Sequence, residues 1–207
     1  MSRYIDDMKR ALVTYRDAKQ KANQRLQEIK DYYGDEAAQR EQERQEKQLK
    51  SARATAEAAI REAYSEGHYL AEQWAKPDGS RLTDDMKLFD AGLVTPEVFE
   101  QLKGRYSDNS TMLSALKAQG EKLNAAAAKE AEEKGDRMAA FGVQPYNTRD
   151  IVTGADKLKG WDSMKKKALD TLDMIDGKGA YSDPWTQALG KHLGAETIEH
   201  FGEGSGL

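Results

Sequence analysis

Apolar residues return every three or four positions from the start of the chain: Ile5, Met8, Leu12 and Tyr15, then Ala22, Leu26, Ile29 and Tyr33, with Lys19 out of character. Steps of three and four keep them on one seam of a helix, the pattern of heptad packing. At Tyr33-Gly34-Asp35 the pattern breaks. Gly34 suits the left-handed position after a helix, Asp35 can cap the next one, and Glu36 adds negative charge to its first turn. A helical hairpin is expected, in preference to one unbroken helix from about Tyr4 to Trp74 that would run roughly 105 Å.

The second arm opens almost without apolar residues. Glu36 with Arg40, Glu43 with Lys47 and Glu46 with Lys50 are spaced four apart with the acid first, an order that favours helix by about 0.2–0.5 kcal/mol per pair. A seam of small residues follows: Leu49, Ala52, Ala56, Ala59 or Ile60, Ala63, Gly67, Leu70 and Trp74. Alanine there lets helices approach closely while burying little area per contact.

Lys76-Pro77-Asp78-Gly79-Ser80 ends that helix with turn chemistry. Three short helices are predicted beyond it. The first is capped by Thr83 and ended by Gly92; the second starts at Thr95-Pro96-Glu97; the third starts within Ser107–Thr111, with Ser110 as its cap. Leu88, Phe89, Val98, Phe99, Leu102, Met112 and Leu116 form the expected core of this small head. An alanine- and glutamate-rich continuation covers Ala125–Lys134, and Gly135 or the Phe141–Pro145 segment interrupts it. Asp156–Ile175 is amphipathic through Leu158, Trp161, Met164, Leu169, Leu172 and Ile175, with Lys165, Lys166 and Lys167 on the other side, and it ends at Gly177. Ser182-Asp183-Pro184 restarts a helix with Trp185, Leu189 and Leu193, and Phe201 follows. The fold class is all-α: a long N-terminal helical hairpin or coiled coil over residues 1–76, a small helical head over 77–134, and a short-helix unit with a flexible end over 135–207.

Composition narrows the function classes. Only 38% of the 207 residues are hydrophobic and 33% are charged, thin material for one compact core but enough for paired helices with narrow seams. The net charge of −4 supplies no positive field for nucleic acid. Residues 35–50 also interleave five acids (Asp35, Glu36, Glu41, Glu43, Glu46) with four bases (Arg40, Arg44, Lys47, Lys50), a solvated face that argues against such binding. The absence of cysteine removes disulfides and thiolate chemistry and points to a reducing compartment. No apolar run reaches the roughly 20 residues that cross a bilayer, and Met1–Arg10 does not read as a secretory signal, so no membrane is expected.

Candidate chemistry is sparse. His192, Glu196 and His200 would share a helix face at metal-ligand spacing, but Gly194 breaks the run. Asp170, Asp173 and Asp176 read as a polar helix edge, because a calcium loop needs ligands on alternate residues of a loop. Phosphate-loop, dinucleotide and serine-elbow motifs are missing. No catalytic residue, cofactor or metal is expected. The expected interaction residues are Ile5, Met8, Leu12, Tyr15, Leu26, Ile29, Leu49, Ile60, Leu70 and Trp74 on the seams, with Trp161 and Trp185 in the tail.

The segment LTDDMKLFDAGLVTPEVFEQLKGRYSDNSTMLSALKAQGEKL, residues 82–123, with its Asn109-Ser110-Thr111-Met112 turn and the charged coiled-coil-like front before it, resembles small helical proteins encoded beside the structural genes of tailed bacteriophages of Gram-positive hosts. The resemblance covers about half the chain. It implies a non-enzymatic assembly or virion-associated role, partners that are the chain itself or other virion proteins, and a place in the host cytoplasm during assembly or in the virion. Phage scaffolding proteins often end in a basic helix, whereas this chain carries Glu196, Glu199 and Glu203 there. The competing expectation is a phage-encoded binding inhibitor of a host defence or nucleic-acid-binding protein, which would need a dense acidic stripe.

Overall fold

The computed structural model describes residues 2–136, 142, 144–177, 198 and 201. Among them there is no strand. Six α-helices follow in order: α1 (Ser2–Tyr33), α2 (Asp35–Ala75), α3 (Lys87–Asp90), α4 (Pro96–Arg105), α5 (Ser110–Glu133) and α6 (Gly154–Ile175), with 3₁₀ turns at Gly79–Arg81 and Asp84–Met86. The chain divides into two compact units, residues 1–70 with 159–207 and residues 71–158. This division departs from the sequence-order boundaries at 76 and 134, because most of α6 packs with the hairpin rather than forming a separate tail unit.

In the first unit α1 and α2 pack against each other as the expected hairpin. Gly34 makes the reversal with φ +81°, a conformation that costs residues bearing a Cβ about 1 kcal/mol or more. Met8, Leu12, Ile60, Trp161 and Leu172 are fully buried, and Ile198 and Phe201 are buried as well. Burial stops along the arms: Ala22 is the last buried residue of α1 and Ala56 the first of α2. Toward Gly34, Leu26, Ile29 and Leu49 are only half-buried, since among the described residues no third element covers the two helices there.

The second unit has its own core of Val94, Phe99, Leu102, Leu113, Leu116 and Ile151, flanked by half-buried Trp74, Leu88, Phe89, Val98, Tyr106 and Tyr146. Phe99 meets Phe89 and Tyr146 edge-on, with ring centroids 6.4 and 5.5 Å away, the geometry that aromatic quadrupoles favour. Thr95 caps α4 through the amide of Val98, with Pro96 at the first helical position. Two other expected caps differ. Asn109, not Ser110, accepts from the Met112 amide at 3.1 Å, and the Ser110 hydroxyl donates to the carbonyl of Trp74. Thr83 precedes its turn but makes no capping hydrogen bond; its hydroxyl pairs with the phenol of Tyr106 at 2.8 Å. The third short helix and its alanine-rich continuation are one helix, α5, and Gly120 within it lets Phe99 and Thr148 approach closely.

Tyr146 and Ile151, beyond α5, also belong to this core. Asn124 holds Tyr146 by two bonds, donating to its carbonyl at 2.8 Å and accepting from its amide at 3.0 Å, and the Tyr146 phenol donates to the Val94 carbonyl at 2.9 Å. The start of α6 is fixed at Gly154, two residues before the expected Asp156, by a reciprocal cap. Asp156 accepts from the Thr153 amide and hydroxyl, and its own amide donates to the Thr153 oxygen. Lys117 adds an ion pair at 2.9 Å. The Thr153 amide, Lys117 and the Thr153 hydroxyl together hold the Asp156 carboxyl down at about 2.

Candidate interaction site

In the first unit α6 occupies one side of the α1–α2 seam. The Tyr64 phenol donates to Asp162 at 2.6 Å, and the Lys165 ammonium lies 4.2 Å from the centre of the Tyr64 ring. Trp161 is fully buried, meets Tyr4 edge-on at 6.5 Å, and lies so close to Gly67 that a Cβ there would come within 2.3 Å of the ring. Among the described residues its indole Nε1 has no hydrogen-bond partner, a cost of about 1–3 kcal/mol set against the apolar area that the ring removes from water.

Where α6 ends, a polar joint ties three helices. Asp176 accepts from the Tyr15 phenol and pairs with Lys19 at 3.1 Å, both from α1, and it pairs with Arg53 of α2. Arg53 also reaches Asp173 at 2.6 Å and Glu57 at 2.9 Å. Its guanidinium further donates at 3.4 Å to the Leu172 carbonyl, which also accepts from the Asp176 amide at 3.1 Å. Burial pushes the Asp176 carboxyl up, but the hydrogen bonds from Tyr15 and Lys19 outweigh it and hold the group below the ordinary carboxylate value. Burial and the bond to Asp176 raise the Tyr15 phenol above its ordinary value. For Arg53 burial works against the charge, and bonds to Asp173, Asp176 and Glu57 overcome it and raise the group. The Asp170–Asp176 stretch is therefore more than the polar edge expected from sequence: Asp173 and Asp176 carry the joint.

The other side of the seam is open. A groove of about 570 Å³ runs between α1 and α2, floored by Ala11, Ala18, Ala52, Ala56, Ala59 and Ala63 with Thr14 and Thr55. On a 3.6-residue helix Arg53, Ile60, Tyr64 and Gly67 face α6, the seam residues Ala56 and Ala63 come next, and Ala52, Ala59, Glu62 and Glu66 lie beyond them. The groove ends in charge: Arg3, Asp7 and Arg10 on the α1 rim, Glu62 and Glu66 on the α2 rim. Asp7 is shared between Arg3 at 3.9 Å and Arg10 at 3.1 Å.

Most of the residues expected to interact lie inside the chain's own units. Ile5, Met8, Leu12, Tyr15, Ile60 and Trp161 are buried in the first unit, and Trp74 packs on the core of the second. Leu26, Ile29 and Leu49 are half-buried near the hairpin tip, and Leu70 is exposed. Trp185 lies outside the described residues, as do His192, Glu196 and His200. The open groove instead uses the small residues of the second seam, Ala52, Ala56, Ala59 and Ala63, with Ala11, Thr14, Ala18 and Thr55 beside them. That seam is legible in the sequence, but choosing interaction residues by apolar size leaves its alanines out.

Among the described residues no group of three or more His, Asp or Glu side chains is placed to hold a metal ion, and no helix is long and apolar enough to cross a membrane. What the groove can do chemically is exclude water from small apolar side chains while its rim selects charge. No protein-family model matches the chain, and no curated protein or solved structure matches it either.

Proposed function

We propose that this chain is a non-enzymatic, all-helical assembly component, virion-associated in the manner implied by its resemblance to phage structural proteins. The observation that carries the reading is the groove: a long two-helix arm whose large apolar residues are already packed leaves open a surface of small side chains suited to receiving another helix. The charge pattern supports the same reading, since the arms interleave acids and bases rather than presenting the acidic stripe that a nucleic-acid mimic needs. The exposed tip of the hairpin, with Tyr32 and Tyr33 82% and 75% exposed, offers two aromatic side chains of the kind that anchor protein interfaces. Fractionation of a particle-producing lysate on a density gradient, followed by immunoblotting, tests the proposal. The chain is expected in the particle or assembly-intermediate fractions; its confinement to the top of the gradient with free protein contradicts the role.

A further inference from the structure

We infer that the groove is an interface between two copies of this chain, which pair hairpin on hairpin into an antiparallel four-helix layer. The inference rests on the assembly reading and specifies its first step.

The argument starts from the rim. At the end of the groove where α1 begins, the α1 rim carries Arg3 and Arg10 around Asp7, a net positive edge, and the α2 rim carries Glu62 and Glu66. Arg3 and Arg10 side chains are 83% and 73% exposed. Glu62 and Glu66 form no ion pair among the described residues. Because α1 and α2 run in opposite directions from Gly34, these two edges stand at the same height along the hairpin.

A two-fold axis parallel to the helices therefore lays each α1 over the partner's α2, with Arg3 and Arg10 above Glu62 and Glu66 on both sides at once. The facing helices are antiparallel, as in up-and-down bundles. A two-fold axis across the helices would set the charged end against the Ala52 end and pair nothing. Along the floor, the alanines and threonines let the layers approach within the 8–10 Å at which helices pack.

Area sets the strength. The α1 side of the groove spans Arg3 to Ala18, about 23 Å at 1.5 Å per residue; with two helices of roughly 10 Å width this gives a footprint on the order of 450 Å² per copy, about 900 Å² in all, the size of a weak, transient pairing. A pairing of that size is expected to be weak, with a dissociation constant on the order of micromolar or above.

Sedimentation equilibrium of the full chain, with two charge-reversed variants, decides the matter. The wild type is expected to move from the 23.1 kDa chain mass toward twice that mass across micromolar concentrations. Arg3→Glu with Arg10→Glu, and separately Glu62→Arg with Glu66→Arg, should each self-associate at least about tenfold more weakly, because both rims then carry like charge. An equimolar mixture of the two variants should recover association, since each rim again meets its opposite across the interface. Circular dichroism of each variant should match the wild type, as all four side chains are exposed. A wild type that stays monomeric at about 100 μM overturns the inference. A dimer that the variants leave unchanged, or a mixture that does not recover, overturns this pairing. Particle association in the gradient is read separately, so a monomer found in particles would defeat the pairing and leave the assembly role standing.

Discussion

A Cβ placed on Gly67 would lie 2.3 Å from the ring of Trp161, so the absence of a side chain at one position fixes where the largest buried side chain of the first unit sits. In an ordinary helix interior, Gly→Ala stabilises by up to about 1 kcal/mol. Here the added methyl must displace a fully buried indole, so Gly67→Ala should destabilise by about 1–3 kcal/mol. Gly104, inside α4 with nothing within 4 Å of its would-be Cβ, is the control, and Gly104→Ala should follow the ordinary rule. Urea denaturation of both variants checks the opposite signs.

The polar joint should show itself at both ends of the pH scale. The Tyr15 phenol titrates above its ordinary value of 10.0 in the folded chain, so its contribution is complete below pH 10.0 and is lost as pH rises beyond it. Asp176 is held below the ordinary carboxylate value of 3.8, so its contribution is present above that value and is lost as pH falls below it. Tyr15→Phe should lower stability at neutral pH and flatten its alkaline decline, and Asp176→Asn should flatten the acid limb. Thermal melts across the pH range read both.

Asp156 gives a second acid-sensitive contact, in the other unit. Its carboxyl is held down at about 2, so its stabilisation is complete above 3.8 and disappears toward pH 2. The side chain is 40% exposed, and water screens the bond, so Asp156→Asn should cost about 1 kcal/mol at neutral pH. The expected loss in urea is largest at pH 7 and shrinks as the pH falls below 3.8.

Phe99 is fully buried at the centre of the second core. Phe99→Ala should cost roughly 3–5 kcal/mol and unfold that unit first, seen as loss of near-ultraviolet signal from Tyr146 and Trp74. Changing Asp84, Asp85 and Asp90 together to asparagine should be mild. Among the described residues Asp84 pairs with exposed Lys87 at 2.7 Å, and the partly exposed Asp85 takes bonds from Arg105 and the Tyr106 phenol, which an asparagine oxygen can still accept.

The all-helical class, the reversal at Gly34 and most of the head core were legible because each rests on local information: apolar period, a left-handed glycine, and cap residues beside prolines. What escaped depends on partners distant in sequence. Asp176 reads as a helix edge until α6 meets Tyr15 and Arg53, 161 and 123 residues away in the chain. Asn124 is one polar residue in an alanine-rich helix until Tyr146 docks on it. Ser110 has the composition of a cap, yet Asn109 precedes it and reaches the Met112 amide first. The alanine seam of α2 was legible as well, but not that one side of it stays open, since that depends on where α6 packs.

The pairing of two hairpins through the open groove can be measured as a distance. The chain has no cysteine, so Ser51→Cys, exposed on α2 outside the groove, and, separately, Asp35→Cys at the tip each carry a single spin label for double electron–electron resonance. With the two-fold axis parallel to the helices, both labels in a concentrated sample should report an intermolecular distance of roughly 20–40 Å, set by helix packing at 8–10 Å plus the outward label arms. A distance at Ser51 with none at Asp35, or no dipolar signal at either site, would contradict it.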